Sequence, residues 1–285
     1  MKTSGEGLNT RMGITEGEMP SLGLGTWELR GEECVDIVEA ALEMGYRHVD
    51  TAAMYENEEE VGRGIRRSSV DRDEIFLVTK VWYTDLDAPS LKDSAHESLQ
   101  KLGTEYVDLL LMHWPHKTVP MEQSLGALNE LREEGKTRHI GVSNFTVDHL
   151  NRAVEVSDTP ILCNQVEYHP YLSQQPVLNC CRQHGTALVA YCPLARGRVI
   201  GDSTLREVGE KYDKTEAQVA LRWLIQQDGV GAIPRSSSQE HIRENADIFD
   251  FNLSDQDMER ISALQGDGRV VTADKVPIPV PDWDT

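Results

Sequence analysis

The sequence predicts a (β/α)8 barrel. Three observations carry that expectation: a length of 285 residues, about eight alternations of a short β-branched run with an amphipathic stretch, and no long linker or low-complexity segment between them. A doubly wound sheet is the alternative, and it usually carries a G-x-G-x-x-G turn after its first strand. Gly23-Leu24-Gly25 lacks the third glycine and runs into Thr26-Trp27. It reads instead as a tight barrel strand.

Taken in order, the first strand is Ser21–Thr26, Gly-rich and weak. The others are Arg47–Thr51, Ile75–Lys80, Val107–Trp114, His139–Ser143, Ile161–Glu167, Ala187–Leu194 and Gly231–Pro234. Between them apolar residues recur at i, i+3, i+4. This spacing predicts helices over Cys34–Met44, Leu91–Leu102, Leu125–Leu131, Leu150–Val156, Val177–Arg182, Ala217–Ile225 and His241–Ile248, and a more polar one over Glu58–Arg66. Ser254 caps a further helix, Asp255–Leu264, and the chain from Gly266 reads as loop. One domain is expected over 1–285, with its core at about 20–250 and a C-terminal helix and substrate-side tail over 254–285.

Composition narrows the function. Lys and Arg total 28 against 48 Asp and Glu, a net charge of −20. Such a balance disfavours nucleic acid, which needs a basic face. Two readings of the charge stay open. One is an ordinary acidic enzyme. The other is a protein adapted to high salt, where screening removes self-repulsion and surface carboxylates stay hydrated. The cysteines Cys34, Cys163, Cys180, Cys181 and Cys192 are odd in number and form no Cys-x-x-Cys pair. They read as thiols of a reducing compartment. No apolar run reaches the roughly 18–20 residues of a membrane span, and Met1 to Gly7 is polar, so a cytoplasmic protein without a membrane partner is expected.

In a parallel barrel the chemistry sits at the C-terminal ends of the strands. Thr26-Trp27, Asp50, Lys80 with Trp82 beyond, His113-Trp114, Ser143-Asn144, Gln165, Tyr191 and Arg235-Ser236 stand there in turn. Hydride transfer to a carbonyl builds negative charge on oxygen and needs a proton donor. A tyrosine titrates near about 10 and needs a cation beside it to act as an acid. Lys80 can lower the pKa of Tyr55, Asp50 can fix Lys80, and His113 can hold the carbonyl oxygen. Taken singly, Asp50–Lys80 has the alternative reading of a buried ion pair, His113 that of a core histidine and Tyr55 that of a surface aromatic. Together they form the parts of one mechanism.

The motifs around these residues are specific. They include Gly45-Tyr46-Arg47-His48-Val49-Asp50-Thr51-Ala52 followed by Tyr55, Asn57-Glu58 and Val61-Gly62, then Val78-Thr79-Lys80-Val81-Trp82, and Tyr106 to Pro115 through Met112-His113-Trp114. Gly135-Lys136, Ile140-Gly141-Val142-Ser143-Asn144-Phe145, Asn164-Gln165-Val166-Glu167-Tyr168-His169-Pro170, Tyr191-Cys192-Pro193-Leu194 and Ile233-Pro234-Arg235-Ser236 with Glu244-Asn245 follow. From about Leu22 to Phe249 the chain resembles the aldo-keto reductase family. Its short loops and its tail Val280-Pro281-Asp282-Trp283-Asp284 look most like the prokaryotic 2,5-diketo-D-gluconate reductases and related small-aldehyde reductases.

The resemblance implies reduction of a small aldehyde or ketone by NADPH, with a sugar-derived carbonyl, a diketo acid or a methylglyoxal-like molecule as substrate. It implies a catalytic tetrad of Asp50, Tyr55, Lys80 and His113, with Tyr55 as proton donor. Ser143, Asn144 and Gln165 would hold the nicotinamide carboxamide and Tyr191 would stack on its ring. Arg235, Ser236, Ser237, Ser238, His241, Glu244 and Asn245 would form the adenosine and 2′-phosphate site. Gly25, Thr26, Trp27, Asp50, Cys192, Pro193 and Leu194 complete the implied cofactor contacts.

Trp27, Tyr55, Trp82, His113 and Trp114 would line the substrate mouth, together with Trp283. Arg196 and Arg198 could attract a carboxylate on the substrate. Two departures from the family pattern matter. Arg235 stands where lysine is common, and His241 where arginine is common. The imidazole offers less charge to a 2′-phosphate, so NADPH preference with NADH tolerated is expected. A monomer is expected.

Two rivals remain at this level. A metal-dependent barrel hydrolase has only His113-x-x-His116 in its favour, no metal being expected. A non-catalytic NADP-binding barrel would not need all four tetrad residue types.

Overall fold

The computed structural model describes residues 7–15 and 19–272. The tail with Trp283 lies outside the described residues. Eight parallel strands run in sequence order: β1 Leu24–Gly25, β2 His48–Asp50, β3 Phe76–Val81, β4 Val107–Met112, β5 Thr137–Ser143, β6 Ile161–Glu167, β7 Ala187–Tyr191 and β8 Val230–Ala232. The two sheet edges meet. Gly23 N donates to Ala232 O at 2.9 Å, Gly25 N to Pro234 O at 3.0 Å, and Ala232 N to Ser21 O at 2.8 Å. The arrangement is consistent with a (β/α)8 barrel.

The glycines of the first strand have a steric reason. A Cβ at Gly23 would stand 2.7 Å from the His48 ring, and one at Gly25 would stand 2.7 Å from Ile233 O. No side chain fits where β1 closes against its neighbours. This crowding explains a strand too short and too Gly-rich to show a two-residue period.

Ten α-helices lie among the described residues: α1 Gly31–Glu43, α2 Glu58–Arg67, α3 Ala88–Leu102, α4 Met121–Glu133, α5 Val147–Val156, α6 Gln175–Gln183, α7 Ser203–Glu210, α8 Glu216–Ile225, α9 Gln239–Ala246 and α10 Asp255–Ser262. Their buried faces carry the expected apolar spacing, as in α1 with Cys34, Val35, Ile37, Val38, Ala41 and Leu42. Helix α7 was not expected. It is short, and only Leu205 and Val208 give it an apolar stripe. Its start is set by Asp202, whose carboxylate accepts from Thr204 N and Leu205 N at 2.9 and 3.0 Å.

Five expected strands are shorter than predicted: β1, β2 and β8 shrink to two or three residues, and two others end early at the site. Residues 107–114 leave the sheet after Met112, and 187–194 leave it after Tyr191, where Cys192 turns to φ +48. The side chains expected at the site therefore stand on the first residues of the loops as well as on strand ends. Inside the sheet, Val78, Leu109, Leu111, Cys163 and Val189 pack together, with Met12 and Met19 below them. The larger apolar layer lies between strands and helices. Cys34, Cys163, Cys180 and Cys181 are buried free thiols, while Cys192 is partly exposed. Burial pushes the Cys34 thiol up to about 12. Among the described residues, no helix is long and apolar enough to cross a membrane.

Candidate active site

Asp50 ends β2, Lys80 lies one residue from the end of β3, and His113 follows β4. Tyr55 closes a single 3-10 turn, Ala53–Tyr55, which is stopped by Glu56 at φ +54. Lys80 is fully buried, and a buried ammonium is tolerated only when its N–H groups are matched. Three acceptors meet it. Nζ lies 2.5 Å from Asp50 Oδ1, 2.8 Å from Thr51 O and 3.3 Å from the Tyr55 hydroxyl. The other Asp50 oxygen accepts Gln165 Nε2 at 2.7 Å, so both carboxylate oxygens are tied. Asp50, Lys80 and Tyr55 are thus joined in one hydrogen-bonded group, with His113 beside it: the Tyr55 and His113 rings are 5.7 Å apart.

The electrostatics correct one expectation. Tyr55 was expected to titrate low beside Lys80. Instead burial holds its phenol well above the usual range, and the Asp50 carboxylate adds to this. Desolvation of a phenolate in the enclosed site outweighs the single cation. Burial also lowers Lys80, against the opposing pull of Asp50. His113 is held well below the ordinary imidazole range by burial and then by the Lys80 charge. It is a neutral ring, and among the described residues its Nδ1 has no hydrogen-bond partner.

The residues expected to hold the nicotinamide form a second bonded set. Ser143 Oγ donates to Gln165 O at 2.8 Å, Asn144 Nδ2 donates to His113 O at 3.0 Å, and Tyr191 OH donates to Asn144 Oδ1 at 2.8 Å. Asn144 sits at φ +63, a conformation asparagine tolerates better than most residues. Thr26 Oγ1 donates to Asp50 O at 2.9 Å, tying the end of β1 to the tetrad. Pro193 is buried, and Cys192 and Leu194 are half-buried.

Away from the tetrad, Arg235 is exposed. Its Nε donates to Trp27 O at 3.0 Å, and Nη2 lies 4.0 Å from Glu28 Oε2. Ser236 accepts Ser238 N at 3.0 Å. Ser238 caps α9 through His241 N, and Ser237, His241 and Glu244 are exposed while Asn245 is buried. The exposed Arg235 guanidinium and Ser237 stand beside the N-terminus of α9, a donor set that fits a phosphate-bearing cofactor.

The expected substrate aromatics divide. The Trp27 ring packs edge-on to Tyr55 at 4.9 Å and that of Trp82 to His113 at 5.0 Å, both half-buried. Trp114 is buried in a cluster with Ala195, Val270 and Val271. Arg198 is engaged elsewhere: it donates to Gly268 O at 3.1 Å and lies over the Tyr171 ring. His116 accepts from Thr118 N and Val119 N.

Sequence reading missed the role of Asn57. Buried, it accepts from Thr51 Oγ1 at 2.8 Å and donates to Thr26 O and Leu29 O at 2.8 and 3.1 Å. It thereby sets the loop that carries Tyr55. The only signal was a polar residue inside a quoted motif.

Comparison with known proteins agrees with this geometry. The Aldo/keto reductase family pattern matches residues 21–265. The chain belongs to the aldo/keto reductase family. It is therefore an oxidoreductase of that family, whose members generally bind NAD(P)H. It is 44% identical over 254 residues to the glyoxal reductase of Bacillus subtilis (strain 168), covering 89% of this chain and 91% of that one. It is 38% identical to the methylglyoxal reductase DkgB of Escherichia coli O157:H7, covering 93% and 99%. A crystal structure described as a 2,5-diketo-D-gluconic acid reductase B superposes with a TM-score of 0.93 at 44% identity, covering 97% and 98%. A Bombyx mori aldo-keto reductase solved in complex with NADP gives a TM-score of 0.85 at 33% identity, covering 91% and 94%. These relatives support carbonyl reduction as the chemistry.

Proposed function

We propose that this aldo-keto reductase reduces a small aldehyde or ketone, a dicarbonyl of the glyoxal or methylglyoxal class foremost, with NADPH preferred and NADH accepted. The observation that carries the reading is the Tyr55 hydroxyl held 3.3 Å from a buried Lys80 ammonium that Asp50 fixes at 2.5 Å. When bound, a reduced nicotinamide supplies the hydride.

The side chains do the rest. Burial keeps the Tyr55 phenol protonated, so a donor is always present. As negative charge grows on the substrate oxygen, Tyr55 passes its proton to it, and Lys80 stabilises the phenolate left behind. Asp50 keeps Lys80 charged and in place. The neutral His113 ring, flanked by Trp82 and Tyr55, orients the carbonyl beside Tyr55. Trp27 and Trp82 give that mouth apolar walls. Ser143, Asn144, Gln165 and Tyr191 would hold the nicotinamide, and Arg235, the serines after it and His241 the adenosine end.

The same reading takes the chain as one domain over 1–285, a cytoplasmic monomer, whose carboxylate-rich surface suits high salt. The experiment that tests it is a panel of carbonyls with NADPH and NADH, run from low salt to molar KCl. Turnover of small dicarbonyls, faster with NADPH, is expected, with the melting temperature rising with salt as the charge of −20 is screened. No turnover with any carbonyl would sink the activity, and a flat melting temperature would sink the salt adaptation alone.

A further inference from the structure

Glu167 ends β6 and is fully buried. Its two oxygens reach across more than a hundred residues to the stretch after α10. Oε1 accepts Val270 N at 2.6 Å and Oε2 accepts Val271 N at 2.9 Å. His169 Nε2 is 3.0 Å from Oε1, and the Arg269 guanidinium is 3.9 Å from Oε2. Hydrogen bonds to a charged acceptor are stronger than neutral ones, and a buried carboxylate left without them is costly. The same stretch is pinned a second time. Gly266 N and Gly268 N donate to Tyr171 O at 3.1 and 3.0 Å, and Arg198 donates to Gly268 O at 3.1 Å. Residues 266–271 are thus a strap tied down at both ends.

The strap has an inner face that matters. Val270 and Val271 are 6% and 8% exposed and pack on Trp114 and Ala195, with Trp82 and Tyr191 against the same cluster. Trp82 touches the His113 ring edge-on, and Tyr191 bonds Asn144. Glu167 is also the register partner of Tyr191 across β6 and β7. One carboxylate therefore fixes an apolar wall directly behind two residues of the reaction site.

We propose that Glu167 is a positioning residue that holds this wall in place and so sets how closely a small carbonyl is confined beside Tyr55. The proposal rests on the carbonyl-reductase reading. It makes Glu167 a determinant of substrate size and not of the chemical step.

Two variants approach the strap from opposite sides. Glu167→Gln keeps the shape but leaves one oxygen to accept where two backbone N–H groups now bond. Gly268→Ala leaves Glu167 untouched, and its new Cβ would stand 2.3 Å from Tyr171 O, lifting the strap from its other tie. Three measurements separate the outcomes: hydrogen exchange of the amides of 266–271, kcat and KM for methylglyoxal and for a bulky aromatic aldehyde, and NADPH affinity by fluorescence quenching.

In both variants the amides of Val270 and Val271 should exchange at least about tenfold faster. KM for methylglyoxal should rise at least about fivefold, with kcat within about threefold and NADPH affinity unchanged. The aromatic aldehyde should lose less than methylglyoxal. Unchanged protection at Val270 and Val271 in Glu167→Gln overturns the anchor. A freed strap with unchanged KM, or a loss confined to kcat, overturns the role in substrate size. If Glu167→Gln does not fold, Glu167→Asp, which keeps the charge but draws it back from Val270 N and Val271 N, takes its place under the same outcomes, and Gly268→Ala decides whether the strap sets substrate size. Wild-type protein inactive on every carbonyl defeats the reductase reading, while the exchange measurement still decides whether Glu167 holds the strap.

Discussion

The tetrad and the proposed phosphate end of the cofactor groove are built in opposite ways. Around Asp50 and Lys80 the charged atoms are buried and matched to named partners. At the phosphate end Arg235, Ser237, His241 and Glu244 are exposed, with Nε of Arg235 fixed to Trp27 O and Glu28 standing at 4.0 Å. The difference follows from what each would do on the proposed reading. Stabilising a developing charge needs donors fixed beforehand in a low-dielectric site. Choosing between two cofactors needs only a few contacts at the solvent edge, where substitution is cheap. A residue exchange such as His241 for arginine is therefore tolerable at one end and would be ruinous at the other.

The contrast can be broken at its strongest point first. Tyr55→Phe removes the proposed proton donor and keeps the ring, so kcat should fall by at least about a hundredfold. NADPH affinity should stay within a factor of about two. A parallel loss of cofactor affinity would show that the two ends are not separable.

The buried end should also carry a pH signature. Burial and the Lys80 charge hold His113 well below the usual imidazole range, and burial lowers His48 against the pull of Asp50. Below about pH 6.5 the unfolded chain binds these protons and the folded chain does not. Stability should therefore fall as pH drops through 6.5, by up to about 1.4 kcal/mol per pH unit for each ring, until the folded rings protonate. Urea unfolding at pH 7, 6 and 5 should show this slope, and His113→Asn should reduce it to the share that His48 carries. An equal slope in the variant would remove His113 as its source.

At the exposed end effects should be smaller and confined to one cofactor. Arg235→Ala should weaken NADPH about tenfold, the value of a charge-assisted bond or two, and leave NADH nearly unchanged. His241→Arg should move the ratio of NADPH to NADH kcat/KM the other way at low ionic strength. A ratio that ignores both changes would place the 2′-phosphate elsewhere. Smallest of all, Glu28→Gln should tighten NADPH a few-fold by freeing Arg235 from a competing carboxylate, with a weaker effect in molar salt. Titration of cofactor fluorescence at two salt concentrations reads that difference.

The same division governs what the sequence discloses. Asp50, Lys80 and His113 stand at or beside the ends of three successive strands, with Tyr55 in the loop after the first of them, and strand ends can be read from local periodicity. Helix α7 escaped because eight residues with two buried leucine or valine side chains give almost no period. The first strand was weak because its closure demands glycine at Gly23 and Gly25. Asn57 and Glu167 appeared inside motifs without a task, since their partners lie far along the chain, at Leu29 and at Val270. The charge argument for Tyr55 counted Lys80 and left out desolvation, which only a three-dimensional arrangement reveals.

Lys80 has a consequence outside catalysis. Its amine is fully buried and engaged with Asp50, Thr51 and Tyr55, so an acylating or reductively methylating reagent meets no nucleophile there while the barrel is closed. Exposed lysines such as Lys117 would be modified at once. Labelling at Lys80 then proceeds only through opening events of the chain, and its rate, read by mass spectrometry against that of Lys117, counts how often the barrel comes apart.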